Sequence, residues 1–415
     1  MATQALSDFN PFDPAVLREP LEFNRRLRAE APVYRDPHTG LFLVSSYDAL
    51  VEALKDWETF SNRFAAAMGG GQIPDEVAKA QSDGYPVVDT MLTADPPEQR
   101  RFRKLVAKAF GPRRVNGLES HTEALSNELI DAFAGDGRVE LRTQYAQLLP
   151  LIMIAEQLGV PREDLAQFRR WSDGFVAQLG GMADLDGQVQ AAKLIVEFQH
   201  YFAAKLEERR AQPREDILSD IVNARVEDER PLDVPESLSI LQQLLVAGNE
   251  TTSSSIGEGM LLLASNPQQQ ALVEQDLSLV PRLVDEVLRL ATPTANMWRV
   301  VTRDTLLAGV EIPKGSFVLL RYSSANRDES RFPDPDRFDV LRENASDQLA
   351  FGLGTHFCIG APLARKEMEV AFRTLLGRLG SWRLDSQASA PTYQPNVLLH
   401  GLQALHLLFE PRAEA

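Results

Sequence analysis

The sequence has little cysteine and no long apolar segment. Cys358 is the only cysteine among 415 residues, which rules out an internal disulfide and fits a reducing compartment. The longest apolar run covers residues 148–155 and contains a proline. A membrane helix needs about 20 residues. The N-terminus has neither a basic nor an apolar region typical of a signal peptide, so a soluble, cytoplasmic protein is expected.

Positive charge is also in deficit. Lys and Arg number 43 against 59 Asp and Glu, so the net charge is -16, and bulk binding to nucleic acid or acidic membranes is not expected. The remaining composition, 44% hydrophobic and 25% charged, is ordinary for a globular protein. Without repeats, low-complexity tracts or a linker, one domain over residues 1–415 is the simplest interpretation.

Helical patterns dominate from about residue 95 to 290, and strand patterns cluster near both ends. Residues 33–44 are typical of a β-hairpin, and residues 298–321 of strands around a Pro-Lys-Gly turn. One long helix is predicted from Pro235 to about Ser265, and a last helix from about Pro362 to Leu379. Residues 65–86 show no convincing period and are predicted to form a long mobile loop.

The single cysteine lies in a glycine-rich stretch, residues 351–360, with the sequence FGLGTHFCIG. Glycines allow the backbone to approach a flat group closely, and the positive end of the following helix favours a thiolate. Three interpretations remain: an inert buried cysteine, a hydrolase nucleophile with His356 as base, or the axial ligand of a haem iron. Residues two apart near a helix start do not place an imidazole against the sulfur, which disfavours the hydrolase.

The same stretch resembles the haem-binding loop F-G-x-G-x-H-x-C-x-G of the cytochrome P450 family. Glu286 and Arg289 resemble its E-x-x-R helix, and residues 332–338 resemble its meander, where Arg337 would join both in a buried ion network. The motifs follow the family's order, and the resemblance extends over the whole chain. It implies a mainly α fold with small β-sheets (α+β), a single domain with a long central helix over haem b, and Cys358 as the iron ligand.

The resemblance also implies contacts to the rest of the haem. Gln99 and Arg103 match a propionate-binding pair on one helix face, although many members have His at the first position. Arg299 and His356 match two further propionate contacts. The remaining cofactor-binding residues, at the two ends of the cysteine loop, are Phe351 and Gly360.

Residues 247–252, AGNETT, resemble the family's oxygen-activating segment. Glycine and β-branched threonines weaken a helix, and threonine hydroxyls can divert backbone hydrogen bonds, which predicts a widened turn. The resemblance implies that Thr251 binds dioxygen and an ordered water, and that Glu250 relays protons. A haem-binding gas sensor or carrier without turnover would not need this pair. A member that rearranges or reduces its substrate is a third option.

Family placement implies an apolar substrate pocket, which suggests a terpenoid, steroid, fatty acid or aromatic compound. Its residues would be Phe64, Met68, Leu244, Ala247, Met297, Val397 and Leu398.

The chain has no flavin or iron–sulfur segment, so its electrons must come from other proteins. Seven basic residues lie between residues 100 and 114, with no acidic residue after Glu98: Arg100, Arg101, Arg103, Lys104, Lys108, Arg113 and Arg114. By resemblance, Arg365 and Lys366 add charge nearby. This pattern predicts docking of an acidic 2Fe–2S ferredoxin or a flavodoxin, served by an NAD(P)H-dependent reductase.

Overall fold

The structure, a computed structural model, describes residues 5–64, 73–180, 183–227 and 229–412. Within these ranges helix dominates, as the sequence predicts. The chain divides into two compact units, and each is treated by itself: unit 1 comprises Met1–Phe60, Gly117–Pro150 and Glu250–Ala415, and unit 2 comprises Ser61–Asn116 and Leu151–Asn249. A single domain over residues 1–415 stays a prediction. No helix in the described ranges is long and apolar enough to cross a membrane.

The α-helices of the described residues are numbered in chain order. They are α1 (Pro14–Arg18), α2 (Leu21–Glu30), α3 (Tyr47–Lys55), α4 (Asp75–Gln81), α5 (Glu98–Val106), α6 (Pro112–Gly117), α7 (Glu119–Asp131), α8 (Leu148–Gln157), α9 (Leu165–Gly180), α10 (Leu185–Ala211), α11 (Ile217–Val222), α12 (Val234–Ser265), α13 (Pro267–Gln275), α14 (Val280–Ala291), α15 (Tyr322–Ala325) and α16 (Ala361–Arg378).

The strands are short. They are β1 (Val33–Arg35), β2 (Phe42–Val44), β3 (Phe60–Ser61), β4 (Arg138–Glu140), β5 (Asn296–Val301), β6 (Thr305–Leu307), β7 (Val310–Ile312), β8 (Phe317–Arg321), β9 (Leu379–Leu384) and β10 (His406–Pro411).

The main sheet has the order β1-β2-β8-β5-β3. Strands β1 and β2 form the predicted antiparallel hairpin, with Val33 opposite Val44. Strand β2 runs parallel to β8, which pairs antiparallel with β5. All three residues of β2 are buried, because the core of unit 1 packs against this part of the sheet. Smaller sheets have the orders β4-β10-β9 and β6-β7.

The longest helix, α12, has local signals at both ends. Asp233 accepts from the Glu236 amide at 2.9 Å, and Glu236 accepts from the Asp233 amide at 3.0 Å, which is a reciprocal capping box. The helix ends at Ser265, just before Asn266 and Pro267. The long helix predicted from Pro235 to Ser265 is therefore confirmed, as are the strands between 298 and 321 and the last helix, α16.

Unit 2 is held together by aromatic contacts between α9 and α10. Trp171 and Phe198 meet edge to face at 5.8 Å, and Phe175 meets Phe198 at 5.2 Å. Such pairs add stability beyond the area they bury.

One prediction is corrected in unit 2. Helix α4 lies within residues 65–86, where the sequence predicts a loop, and it buries Val77 against the unit. Acidic residues in its first turn, Asp75 and Glu76, suit the positive end of a helix. Residues 65–72 lie outside the described residues.

Candidate functional site

The cysteine loop is a closed turn directly before α16. The Cys358 amide donates to the Phe351 carbonyl at 2.9 Å, which joins the two ends of the loop. Pro362 occupies the first turn of α16, and the Cys358 thiol is half-buried. This position exposes the sulfur to the positive end of an 18-residue helix, which favours the thiolate, the form that binds metals.

Two glycines in this loop have backbone angles that favour glycine. Gly352 has φ +69° and Gly354 has φ +70°. A Cβ atom on Gly354 would also lie only 3.0 Å from the Leu54 carbonyl oxygen at the end of α3. The loop therefore follows a path that other residues would strain.

A buried ion network holds the segment that leads to the loop. Arg289 and Glu286, both fully buried, form two hydrogen bonds of 2.8 Å. Arg289 also donates to the Asn326 and Pro335 carbonyls, at 3.0 and 2.7 Å. Asn326 in turn accepts from the Leu349 amide at 2.7 Å, two residues before Phe351. Helix α14 thereby fixes the start of the cysteine loop.

The third member of this network is not the predicted Arg337. Its side chain is 63% exposed and lies 3.6 Å from Asp339. Arg342, whose side chain is 8% exposed, instead donates to Glu286 at 3.2 Å. Arg337 takes part only through its backbone carbonyl, which accepts from Arg289 and Arg342. The chain turns after residue 337, so the backbone of Arg337, rather than its side chain, faces the network.

Arg299 on β5 is a buried cation without an acidic partner in the part of the chain that the structure describes. It is 3% exposed, and its Nη1 donates to the Trp298 carbonyl at 2.7 Å. Among the described residues no carboxylate pairs with it. It also interacts with the Tyr322 hydroxyl. Burial raises the pKa of Tyr322, and Arg299 offsets part of this rise. A Cβ on Gly352 would lie 3.8 Å from the same hydroxyl. A buried guanidinium of this kind is suited to bind an anion.

The acid and the alcohol of the AGNETT segment lie on α12. The Glu250 carboxylate forms an ion pair of 3.0 Å with Arg142, and both side chains are 13% exposed. Thr251 is half-buried, and its carbonyl accepts from the Ser255 hydroxyl at 2.9 Å. Arg142 lies in a π-helical turn, Arg142–Ala146, directly after β4. Because this partner lies more than 100 residues away in the sequence, no local pattern could have identified it.

The widened turn predicted around these residues is not observed. Helix α12 continues as an α-helix through residues 247–252. Thr252 and Ser253 are buried, so tertiary packing outweighs the weak helix propensity of the segment.

The predicted residues of unit 2 lie on α5 and α12, apart from Phe64 and Met68. Gln99 is fully buried on α5, and Arg103 is half-buried one turn later. Leu244 on α12 is buried, whereas Ala247 is exposed although its neighbours Leu245 and Val246 are buried. Phe64 is buried, and Met68 lies outside the described residues.

The predicted substrate residues of unit 1 lie close to its core. Val397 and Leu398 belong to a hydrophobic cluster with Phe23 and Leu319. Met297 on β5 is half-buried against the neighbouring cluster. Substrate contact by these residues stays a prediction.

The basic residues of 100–114 are mostly neutralised within unit 2. Arg101 pairs with Glu236 at 2.8 Å, Lys104 with Glu229 at 3.8 Å, and Lys108 and Arg114 both pair with Asp220. Arg100 and Arg113 are exposed and have no ion pair among the described residues. In unit 1, Arg365 pairs with Asp285 and Lys366 with Glu119.

The unit 1 residues fit a haem with a thiolate ligand. Cys358 supplies one sulfur beside a helix start, the glycines keep its loop free of bulky side chains, and Arg299 offers charge to a propionate. No cluster of three or more acidic, His or Cys side chains that could hold another metal occurs in the described ranges.

Comparisons with known proteins agree with this geometry. The family model described as Cytochrome P450 matches residues 186–407. The chain is 38% identical over 403 residues to the Cytochrome P450 monooxygenase PikC of Streptomyces venezuelae, covering 96% of this chain and 92% of that protein. It is 35% identical over 397 residues to Steroid C26-monooxygenase of Mycobacterium tuberculosis, with coverage of 95% and 94%. The solved structure of Cytochrome P450 CYP109Q5 from Chondromyces apiculatus has a TM-score of 0.86 and 38% identity, with coverage of 99% and 100%.

Proposed function

The chain belongs to the cytochrome P450 family and is a haem monooxygenase; we propose that it inserts one oxygen atom of dioxygen into a hydrophobic small molecule. Two electrons would come from an acidic 2Fe–2S ferredoxin or a flavodoxin with an NAD(P)H-dependent reductase. The observation that carries the proposal is the Cys358 thiol, held before α16 by a loop that the buried Glu286–Arg289 pair braces.

The proposed cofactor is haem b, bound by Cys358. Because Cys358 is the only cysteine, no thiol remains for covalent attachment of a c-type haem. Arg299 and His356 would bind propionates, with Phe351 and Gly360 in the loop against the ring. Gln99 and Arg103 stay predicted propionate partners. When bound, the haem would activate dioxygen for attack on a C–H bond.

Proton handling is assigned to three residues on or near α12. The Thr251 hydroxyl would hold dioxygen and an ordered water by hydrogen bonding. Glu250 would deliver protons, and Arg142, 3.0 Å from its carboxylate, would position it. This acid–alcohol pair supports turnover rather than gas sensing, because a sensor or carrier needs no protons.

The proposed substrates are hydrophobic, and a steroid is the first class to test. The predicted pocket residues Phe64, Leu244, Met297, Val397 and Leu398 are all apolar and buried or half-buried. A relative that covers 95% of this chain is named for a steroid reaction. Terpenoids, fatty acids and aromatic compounds belong in the same panel. A cytoplasmic location is part of the proposal, since the single cysteine fits a reducing compartment.

The first test concerns the iron ligand. Reduced protein with carbon monoxide is expected to show the red-shifted Soret band of thiolate ligation, and Cys358→Ser is expected to lose it. His356→Gln is the matched control two residues away: it is expected to keep the band and to bind haem more weakly. Retention of the band in Cys358→Ser would overturn the assignment. Turnover with isotope-labelled dioxygen on the substrate panel should place one labelled atom in the product.

A further inference from the structure

A polar stripe extends from Glu250 along α12. Glu250, Ser254 and Glu258 are spaced four residues apart, so they follow one another on one helix face over about 12 Å. On both sides of this stripe, apolar residues of the same helix, such as Ile256 and Met260, are buried. Two carboxyl groups with a hydroxyl between them are uncommon on a largely buried helix, because buried polar groups need partners.

The segment 393–402 covers this stripe. A Cβ atom on Gly401 would collide with the Ser254 hydroxyl and would lie 3.7 Å from Glu250 Oε1. The two polar side chains therefore occupy the space that glycine leaves. One turn further along, a Cβ on Gly257 would lie 3.7 Å from Leu402. The segment closes on itself, since the Gln394 amide donates to the Gly401 carbonyl at 3.0 Å.

Glu258 lies at the C-terminal end of the stripe. The Tyr393 hydroxyl donates to its two oxygens at 3.2 and 3.1 Å. The His400 ring stacks on Tyr393 at 4.1 Å, and the Arg18 carbonyl lies 3.2 Å from the His400 Nε2. The other charged groups that act on Glu258 are Arg327, which favours its ionised form, and Glu19, which opposes it. Glu258 is half-buried, whereas Ser254 is buried.

We propose that Glu258 is the solvent-side acid of a proton path that reaches Glu250 through the Ser254 hydroxyl. The proposal rests on the proposed role of Glu250 as proton donor. In one transfer, the Glu258 carboxylic acid gives its proton to the Ser254 oxygen, and Ser254 passes its own proton to the Glu250 carboxylate. Solvent then returns a proton to Glu258, so charge and atoms balance. Water can bridge the steps between neighbouring groups, which the helix spaces one turn apart.

The properties of Glu258 suit this position. Burial raises its pKa to about 7, against a smaller lowering by the Tyr393 hydrogen bond. A carboxyl group with a pKa near neutrality holds a proton and also releases it readily, which favours proton transfer. The carboxylic acid predominates below about pH 7 and is lost above it. Arg142 contacts Glu250 at the other end, so the stripe joins a charged pair to a neutral acid.

The experiment compares Glu258→Gln and Ser254→Ala with a matched control, Glu274→Gln. Glu274 is also a glutamate whose pKa burial raises, but it lies on α13 and pairs with Arg412. Haem-loaded protein is assayed for product formed per NADPH consumed, across pH, in light and heavy water. Infrared titration of the resting protein follows the carboxylic-acid band, a measurement that does not depend on turnover.

In the parent protein we expect coupling to fall as pH rises through about 7, and a carboxylic-acid band to disappear over the same range. Glu258→Gln should lose both inflections and raise the solvent isotope effect on dioxygen consumption. Ser254→Ala should keep the band and lose the coupling inflection. Glu258→Asp, which restores an acid, should recover part of the coupling inflection. Glu274→Gln should behave as the parent.

Unchanged coupling and pH dependence in both Glu258→Gln and Ser254→Ala would overturn the path, even if the infrared band titrates. The carbon monoxide spectrum confirms that each variant holds its haem through Cys358. Glu250→Gln separates the two proposals. If Glu250→Gln impairs coupling and the other two variants do not, the path alone fails; if Glu250→Gln has no effect, the role of Glu250 fails first.

Discussion

Arg337 and Arg342 lie five residues apart and end in opposite environments. The Arg337 side chain faces solvent, whereas that of Arg342 reaches Glu286 and donates to the Pro333, Asp334 and Arg337 carbonyls. A buried ion pair stabilises a fold only when such additional hydrogen bonds offset the loss of hydration. Arg342 meets this condition, so its side chain holds residues 333–337 next to Glu286.

These two arginines provide a matched pair of substitutions. Arg342→Ala removes a partner of the buried Glu286 carboxylate and is expected to lower the free energy of unfolding by about 2–4 kcal/mol. Arg337→Ala is expected to change it by less than about 0.5 kcal/mol. Denaturant unfolding of the haem-loaded protein measures both. Equal effects of the two substitutions would contradict the network described here.

Local spacing predicts some of this network and not the rest. Glu286 and Arg289 are three residues apart on a helix, so their pairing follows from the sequence. Which arginine of the following segment joins them depends on where an irregular loop turns, and no periodicity encodes that. The same limit explains why Arg142 beside Glu250 and Tyr393 beside Glu258 could not be predicted: both contacts join segments far apart in the chain.

At the scale of elements, the cysteine loop depends on backbone conformation. Gly354 combines a left-handed φ of +70° with a close approach to the Leu54 carbonyl. Gly309, in the turn between β6 and β7, has φ +81°, but a Cβ there would meet nothing within 4 Å. The two positions therefore share the backbone constraint and differ only in the space beside it.

Alanine at each position separates these two effects. Gly309→Ala is expected to cost about 1 kcal/mol of stability, from the left-handed conformation alone. Gly354→Ala is expected to cost about 2–4 kcal/mol, because the backbone must also move away from Leu54. Haem content after purification should fall only in Gly354→Ala. Equal stability and equal haem content in the two variants would show that the contact with α3 is unimportant.

The sequence predicts the helices that have strong local signals, α12 and α16, but it does not predict the short helix α4. Helix α12 has 32 residues and a capping box, and α16 begins beside a proline, so both are visible in the sequence. Helix α4 has only seven residues and buries little more than Val77. An isolated helix of this length is unstable in water, so its formation depends on packing that the sequence pattern does not show.

For the whole molecule, the net charge is negative although one segment of the sequence is basic. The chain has a net charge of -16, and the basic residues of 100–114 stand out along the sequence. In the structure, acidic residues from distant positions, Glu229, Glu236 and Asp220, neutralise most of them. Within the described ranges Arg100 and Arg113 form no ion pair, so the docking proposal is restricted to these two residues.

Charge reversal tests this narrower proposal. Arg100→Glu with Arg113→Glu is expected to slow the first electron transfer from an acidic 2Fe–2S ferredoxin roughly tenfold at low salt, with substrate binding unchanged. Arg383→Glu on β9, another exposed arginine without an ion pair in the described residues, is the control and should have little effect. Stopped-flow reduction at several salt concentrations measures the rates. A rate insensitive to salt and to the double reversal would place docking elsewhere.

The order of strands in the main sheet has a consequence for biosynthesis. Phe42 on β2 pairs with Val318 on β8, and Val139 on β4 pairs with Leu407 on β10. A ribosome adds about 5–20 residues per second, so β2 waits on the order of 15–60 s for its partner strand. During that time β2 can pair with β1, but the edge of this apolar strand that later meets β8 has no partner. Cys358 is translated after β8, so the cofactor can bind through this residue only late in translation or after it.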